Sequence, residues 1–212
     1  MKLHWYGHSN FLLTNDTGKT LLIDPFNERV GYPVPAYEAD VVLTTHGHYD
    51  HANTDGVKPG FKLFNEVGEF EEAGFRITGI QSYHDEQGGA LRGSNIIFVV
   101  EADGERICHM GDIGHVLPED TVKAIGAVDV LLQPVGGNFT VNGEKAKTIC
   151  SQIAPKTVVP MHFKTEECTL NIEPLDVFLD AIKGEKIAKV GNDVRVKDFP
   201  SDAKIALMSY GL

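Results

Sequence analysis

Residues 45–51, with the sequence THGHYDH, decide the fold of this 212-residue chain. They place three histidines and one aspartate within six positions, at the end of the apolar run DVVLTT of residues 40–45. That run is short and rich in β-branched residues, so it predicts a buried strand. Open α/β folds place their ligands in loops at the carboxyl ends of such strands. Because imidazole nitrogens and carboxylate oxygens are the usual ligands of zinc and related divalent ions, the sequence predicts a metal site in this loop.

The spacing within the motif indicates more than one ion. His46 and His48 are two residues apart, so an extended backbone would point both side chains the same way. Asp50 and His51 follow after a turn and can face a second ion. A solvated loop that is merely rich in histidine is the alternative, and the apolar strand directly before the motif argues against it. Since one short segment cannot complete two coordination spheres, further ligands must come from the ends of other strands, and the candidates there are His84, Asp112 and His162.

The rest of the chain alternates strands with helices and hairpins. Strands are predicted at residues 3–6, 11–14, 20–24, 40–45, 75–82, 95–100, 106–110, 128–133, 156–160 and 203–209. Helices are predicted at residues 119–125, after the cap residue Asn142, and from Pro174 to a C-terminal cap at Gly184. This order predicts an α/β sandwich with mixed sheets between helical layers. No linker or low-complexity tract interrupts the sequence, so residues 1–212 are expected to form a single domain.

Composition restricts the classes of partner. The net charge of −11 argues against a long nucleic-acid-binding surface, which requires clustered lysine and arginine. No segment is apolar enough to span a membrane, and the N-terminus lacks the apolar stretch and cleavage site of a signal peptide. We therefore expect a cytoplasmic protein whose partner is a small-molecule substrate, and association into a homo-oligomer stays open.

Taken together, the motifs resemble the metallo-β-lactamase superfamily. The likeness rests on His46-x-His48-x-Asp50-His51, the lone His84, the pair Gly111-Asp112 and the late His162. It is closer to the broad metal-dependent hydrolase branch that includes the ascorbate-phosphate lactonases, through WYGHS at residues 5–9, LIDP at 22–25, GG at 136–137 and PMHF at 160–163. The resemblance covers nearly the whole chain and implies the α/β (α+β) class, with the four-layer αββα sandwich of that superfamily.

The resemblance also implies a dinuclear metal-dependent hydrolase. In that arrangement the first ion is held by His46, His48 and His84, the second by Asp50, His51 and His162, and Asp112 bridges both. A hydroxide between two zinc ions, or two manganese ions, would be the nucleophile, because metal binding lowers the pKa of water to about 7. Asp50 could also act catalytically by orienting that hydroxide. The substrate would be a small ester-like molecule, either a lactone or a phosphodiester.

Two further histidines lie near Asp112. His109 stands three residues earlier, on the opposite face of a predicted strand, so we expect it to support the site. Ligation by His109 in place of His84 is the alternative. His115 lies just past Asp112 and is a candidate for the catalytic group that donates a proton to the leaving group.

Other residues are expected to line or support the site. Asp24 ends an apolar strand and is expected to orient the motif loop without binding an ion. His8 is expected to pack beneath the site in a turn, with a contact to substrate as the alternative. Arg92 and Lys164 could neutralise an anionic substrate, although isolated cations are usually solvated.

Two other functions are compatible with the same fold. One is an iron-based redox protein, but relatives of that kind tend to replace a histidine by a carboxylate and to work with a flavin domain, for which this chain has no room. The other is a non-catalytic metal-binding scaffold, but all the expected ligands are present, so the sequence gives no reason to prefer it.

Overall fold

The strands form where apolar side chains alternate with half-buried ones. In β1 (Lys2–Gly7), Leu3 and Trp5 are buried while the residues beside them are only half-buried. Successive side chains of a strand point to opposite faces, so this alternation buries one face of a sheet. The computed structural model describes all 212 residues and contains two sheets.

The first sheet has six strands. Their bounds are β1 Lys2–Gly7, β2 Asn10–Thr14, β3 Thr20–Ile23, β4 Val41–Leu43, β5 Lys62–Phe64 and β13 Asp193–Arg195. In space they follow the order β13-β1-β2-β3-β4-β5. β3 and β4 pair in parallel, with Ile23 opposite Leu43, so both deliver their carboxyl ends to the same edge of the sandwich.

The second sheet has eight strands. Their bounds are β6 Gly68–Glu72, β7 Phe75–Tyr83, β8 Ser94–Ala102, β9 Glu105–His109, β10 Val130–Pro134, β11 Thr157–Met161, β12 Ile187–Val190 and β14 Ile205–Met208. In space they follow the order β12-β14-β11-β10-β9-β8-β7-β6. β9, β10 and β11 are parallel to one another, while β7, β8 and β9 form antiparallel pairs.

A cluster of 24 buried apolar residues joins the two sheets. It includes Trp5 and Phe11 from the first sheet and Phe98 and Leu132 from the second. The Trp5 and Phe11 rings stack with their centroids 5.8 Å apart. This layer is the main apolar contact between the sheets, because it contains buried residues of both. Burial of each large apolar side chain contributes about 1.5–3 kcal/mol to the stability of the fold.

All three α-helices pack on the second sheet. Their bounds are α1 Glu119–Ile125, α2 Gly143–Ile153 and α3 Leu175–Ala181. A second apolar cluster contains Ile125, Ile149 and Phe178, one from each helix, together with Leu131 of β10. None of these helices has the length and apolar character needed to cross a bilayer.

The helix termini follow the sequence signals in part. Asn142 caps α2 as predicted, because its side chain accepts a hydrogen bond from the backbone N–H of Lys145. α3 begins after Pro174 as predicted but ends at Ala181, earlier than expected, and Gly184 follows in a turn with φ of 99°.

The outer face of the first sheet is covered without an α-helix. Leu22 and Val42 pack there against Tyr37 and Val57, beside the 3₁₀ helices Glu28–Val30 and Thr54–Gly56. Three prolines among residues 25–35 prevent a regular helix in this covering segment. The expected mixed α/β sandwich of two packed sheets is confirmed, and the layer outside the first sheet consists of loops and 3₁₀ turns.

The observed strands differ from the sequence prediction in their exact bounds and by four additional strands. The strand expected at residues 203–209 is β14, which lies inside the second sheet between β12 and β11 and is parallel to both. β5, β6, β12 and β13 were not predicted.

Candidate metal centre

Four strand ends bring the candidate ligands together. β7, β9 and β11 run in the same direction, because β8 is antiparallel to β7 and β9, and β10 is parallel to β9 and β11. His84 directly follows β7, His162 directly follows β11, and Asp112 lies three residues beyond β9. The motif loop, residues 45–51, follows β4 of the other sheet. The cluster therefore draws on both sheets.

The motif loop is not extended, which corrects the argument from strand alternation. Residues 45–48 form bends and residues 49–51 form a turn. A hydrogen bond of 3.0 Å from the N–H of His51 to the carbonyl of His48 closes that turn. The bends still bring His46 and His48 together, with His46 Nε2 3.0 Å from His48 Nδ1. Their convergence thus depends on turn geometry rather than on the two-residue period of a strand.

Asp24 contacts the motif loop through three hydrogen bonds. Its buried carboxylate accepts from the backbone N–H and the hydroxyl of Thr45, both at 2.8 Å, and from Nδ1 of His51 at 2.7 Å. The last bond keeps a proton on Nδ1 and leaves the Nε2 lone pair of neutral His51 facing the cluster. Asp24 has a φ of 51°, a left-handed conformation that residues other than glycine rarely adopt. Its contacts are those expected of a residue that orients the loop.

Asp112 lies at the centre of the cluster. Its Oδ2 is 3.1 Å from His84 Nε2, 3.3 Å from His162 Nε2 and 3.9 Å from His46 Nε2. Its Oδ1 is 3.3 Å from His51 Nε2. The two oxygens of one carboxylate thus face histidines from both implied ligand sets, which is the geometry that a bridging ligand requires.

The turn before Asp112 depends on a glycine and on a buried asparagine that the sequence analysis missed. Gly111 has a φ of 55°, and a Cβ atom there would lie 2.3 Å from Asn95 Oδ1 and 2.8 Å from Thr45 Cβ. Asn95 Oδ1 accepts a 2.8 Å hydrogen bond from the N–H of Asp112, and its Nδ2 donates to Ser82 Oγ and to the carbonyl of Met110. An asparagine inside a strand gives no signal of this role in the sequence.

Donor atoms that could share an ion form three groups, in each of which all the atoms lie within 4.8 Å of one another. The groups are His46, His48 and His84; His46, His51 and Asp112; and His8, Asp50, His51 and His162. The first group equals the histidine set implied for the first ion. The last group contains the set implied for the second ion, together with His8.

Several buried polar atoms of the cluster have no hydrogen-bond partner. They are His8 Nδ1, His51 Nε2, His84 Nδ1, Asp112 Oδ1 and both ring nitrogens of His162. Buried polar atoms are nearly always paired, because an unpaired one costs about 1–3 kcal/mol. Cations among these imidazole nitrogens and carboxylate oxygens would satisfy those atoms that face the centre. The donor set therefore fits zinc or manganese.

The protonation of the cluster also suits a cation. Burial lowers the pKa of His46 to about 3 and that of His8 to about 4, so both rings are neutral near pH 7. Burial also acts to lower the pKa of His51, but the surrounding carboxylates, Asp112 foremost, outweigh it and raise that pKa well above its usual value. Burial opposes ionisation of Asp112, but His162 and His51 hold its pKa well below the usual range. The carboxylates are ionised, and a proton competes with a cation for His51 Nε2.

A cavity of about 290 Å³ opens over the cluster. It is lined by the polar residues His48, Asp50, His84, Asp112 and Arg92 and by Tyr49, Phe139 and Leu170. Its volume lies just below the range of about 300–1,000 Å³ that is typical of small-molecule sites. A larger groove of about 500 Å³, lined in part by Glu105, Asp129 and Lys156, contains no histidine, so the candidate metal ligands open into the smaller cavity.

His109 and His115 lie outside all three groups. His109 Nε2 is 2.9 Å from the carbonyl of Ser9, and its Nδ1 accepts from the N–H of Gly111. Nδ1 thus supports the turn before Asp112, and Nε2 contacts the turn after β1. The structure places His84, and not His109, among the potential metal donors, and the supporting role of His109 stays a prediction. His115 does not line the cavity, because its Nε2 accepts from the N–H of Tyr83 and its Nδ1 lies 2.9 Å from the carbonyl of Val116. This placement does not favour the expected role of His115 as proton donor to a leaving group, and that role stays a prediction.

The two cationic side chains considered for substrate binding, those of Arg92 and Lys164, differ in placement. Arg92 lines the cavity, with its guanidinium carbon 5.6 Å from the centroid of the Phe139 ring. Lys164 donates to the carbonyls of Cys168 and Leu170 and so fastens the loop that carries Leu170. Only Arg92 is positioned to meet a substrate in this cavity.

Comparison with known proteins identifies the family. A family model described as a Beta-lactamase superfamily domain matches residues 2–162. The chain belongs to the metallo-β-lactamase superfamily. The superfamily indicated by the motifs is thereby confirmed, while the nearer likeness to the ascorbate-phosphate lactonases stays a prediction.

Relatives within the superfamily match most of this chain. A UPF0173 metal-dependent hydrolase from Nitratidesulfovibrio vulgaris is 33% identical over 198 residues, covering 77% of this chain and 80% of that protein. A relative of the same name from Methanoregula boonei is 32% identical over 190 residues, covering 79% of this chain and 84% of that protein. A crystal structure of a candidate Zn-dependent hydrolase of the superfamily from Thermotoga maritima superposes with a TM-score of 0.81 at 36% identity, covering 98% of this chain and 97% of that one.

Proposed function

We propose that this protein is a metal-dependent hydrolase that binds two divalent cations, zinc or manganese, and cleaves a small ester-like molecule. The observation that carries the proposal is the position of Asp112, whose oxygens lie 3.1–3.9 Å from four histidine nitrogens on three chain segments. The relatives named metal-dependent hydrolases support the hydrolytic class.

The proposed ligands divide between two positions. The first cation would be held by His46, His48 and His84, the second by Asp50, His51 and His162, and Asp112 would contribute to both. Two divalent cations bound there would supply Lewis acidity for hydrolysis.

Residues of the chain supply the remaining functions. Asp50 lines the cavity with its carboxylate ionised, because the nearby His51 and His8 outweigh desolvation and lower its pKa. It is therefore placed to accept the proton of an attacking water. Tyr49 and Phe139 form part of the less polar wall and would exclude bulk water from the scissile bond.

The substrate is proposed to be a lactone or a phosphodiester. A cavity of about 290 Å³ admits a molecule of that size. The net charge of −11 disfavours a long nucleic acid, because polyanions bind to clustered basic residues.

Metal content tests the proposal first. Protein purified without chelator or metal-affinity tag is expected to contain about two equivalents of zinc or manganese by mass spectrometry. Asp112→Asn, which keeps the shape of the side chain and removes its charge, should reduce that content. Asp193→Asn is the matched control, because Asp193 lies on edge strand β13 and pairs with Lys2. Absence of metal, with no uptake on titration, would refute the proposal.

A substrate panel then tests the chemistry. Neutral lactones and bis(p-nitrophenyl) phosphate are compared, with and without chelator. We expect turnover of one of the two substrate classes. A chelator should abolish that turnover, and added zinc or manganese should restore it. A fully loaded protein that hydrolyses neither would contradict the proposed substrates.

A further inference from the structure

His8 lies inside the cluster, although the motif pattern gives it no ligand role. It sits in the turn between β1 and β2, and its side chain is fully buried. Its ring centroid is 4.2 Å from that of His162 and 5.2 Å from that of His51. A further chain segment thus brings an imidazole to the group that the second cation would occupy.

The turn that carries His8 is held in a strained conformation. His8 has a φ of 51°, and at Gly7, with φ of 115°, a Cβ atom would lie 2.5 Å from the ring of Tyr32. The carbonyl of His8 accepts hydrogen bonds from Trp5 Nε1 at 3.1 Å and from the N–H of His162 at 3.2 Å. Such strain persists only where surrounding contacts impose it, and it clusters at functional sites.

The distances around His8 suit a shared cation. His8 Nε2 is 3.3 Å from Asp50 Oδ2, and His51 Nε2 is 3.6 Å from the same oxygen. A charge-assisted N–H···carboxylate bond is shorter, at about 2.7–2.9 Å. Ligand atoms about 2.1 Å from a tetrahedral ion are about 3.4 Å apart. The observed spacing therefore resembles the edges of a coordination polyhedron.

We propose that His8 is a direct ligand of the second cation through Nε2, together with Asp50, His51 and His162. The inference rests on the proposed function, since it requires a cation in that group. His8, Asp50, His51 and His162 each offer one donor atom, and these atoms all lie within 4.8 Å of one another. The second site would then have one more imidazole than the superfamily motif implies.

The competing role is that of a positioning residue, in which His8 only donates a hydrogen bond to Asp50. The two roles give different results when His8 is replaced. Loss of a partner that merely orients a ligand weakens metal binding by about 10–100-fold, and loss of a ligand weakens it further. In addition, glutamine at position 8 could still donate an N–H to Asp50 but would be a poor ligand for zinc.

Metal titrations separate these roles. Metal-free wild type, His8→Ala, His8→Gln and the control His115→Gln are titrated with zinc against a chromophoric chelator, and with Co²⁺ by visible absorption. Both His8 variants should retain one cation and bind the second more than about 100-fold more weakly, with an altered Co²⁺ spectrum. His115→Gln should bind both as the wild type does. Restoration of wild-type affinity in His8→Gln would overturn direct ligation.

A zinc-loaded crystal structure of the wild type decides the question even if the variants fail to fold. A distance of about 2.0–2.1 Å between His8 Nε2 and zinc is expected, and a distance above about 3 Å would exclude ligation. The two proposals fail in different ways. A wild type that binds no cation refutes the proposed function, whereas His8→Ala with two unchanged affinities refutes only the role of His8.

Discussion

Replacing Asp24 by asparagine tests how the structure prepares His51 for a metal. Asp24 Oδ2 accepts hydrogen bonds from both Thr45 Oγ and His51 Nδ1, at 2.8 and 2.7 Å. If the amide NH₂ group of asparagine occupied that position, it would face two donors. The favourable response is for His51 to accept at Nδ1 and carry its proton on Nε2, which is the atom that faces Asp112 at 3.3 Å.

The expected result is a selective loss at the second site. Loss of a carboxylate that orients a ligating histidine weakens metal binding by about 10–100-fold, equivalent to about 1.4–2.7 kcal/mol. Affinity at the group formed by His46, His48 and His84 should change less. Asp24 accepts no hydrogen bond directly from those side chains and reaches only His46, through the Thr45 hydroxyl that lies 3.0 Å from His46 Nδ1. The assay is competition for zinc between the metal-free variant and a chromophoric chelator, which yields both dissociation constants.

Asp40→Asn is the matched control. Asp40 also accepts from a threonine backbone N–H and hydroxyl, those of Thr20, and from one cationic group, Lys19 Nζ. It belongs to none of the three potential metal-binding groups, so its replacement should leave both zinc affinities unchanged. A folded Asp24→Asn protein that binds two zinc ions with wild-type affinity would refute the argument from histidine tautomers.

Three further predictions concern the turn before Asp112, the loop after β7 and the cavity wall. Gly111→Ala should lower the free energy of unfolding in urea by about 2–4 kcal/mol, because backbone strain adds to a clash in which the new Cβ lies only 2.3 Å from Asn95 Oδ1. Gly18→Ala, at a position with φ of 81° and open space around it, should lose only about 1–2 kcal/mol, and equal losses would contradict the steric argument. Desolvation acts to raise the pKa of Asp85, but four backbone N–H donors lower it from 3.8 to about 2. In metal-free protein the melting temperature of Asp85→Asn should therefore lie below that of the wild type above pH 4, and the difference should close toward pH 2. A difference independent of pH would count against a role for the ionised carboxylate. Arg92→Gln should raise KM for an anionic phosphodiester about fivefold, because an exposed charge contact contributes about 1 kcal/mol. KM for a neutral lactone and the metal content should not change, and equal effects on both substrates would show that Arg92 does not recognise the anion.

The strands that sequence reasoning missed are the four edge strands. β5 and β13 border the first sheet, and β6 and β12 border the second. Every residue of β6 is exposed or half-buried, and its sequence is GEFEE. Edge strands commonly carry charged residues that discourage pairing with other chains. The apolar signal that revealed the interior strands is therefore weak at the edges.

The candidate site was predictable where residue type and strand end coincide. His84 and His162 directly follow apolar strands, and both join the cluster. The position of His8 was not predictable in this way, because it depends on a register irregularity between Trp5 and Gly7 at the end of β1. The position of His115 outside the cluster depends on hydrogen bonds to backbone groups that the sequence does not specify.

The candidate ligands come from both sheets, and this affects more than chemistry. His46 follows β4 of the first sheet, whereas His162 follows β11 of the second. A cation bound to both sets would cross-link the two halves of the sandwich, as a disulfide joins distant parts of a chain. At a free concentration of 100 times its dissociation constant, one such ion adds about 2.7 kcal/mol of stability. Chelation should therefore accelerate amide hydrogen exchange where β4 and β11 end, and metal supply would govern how often the sandwich opens at this end.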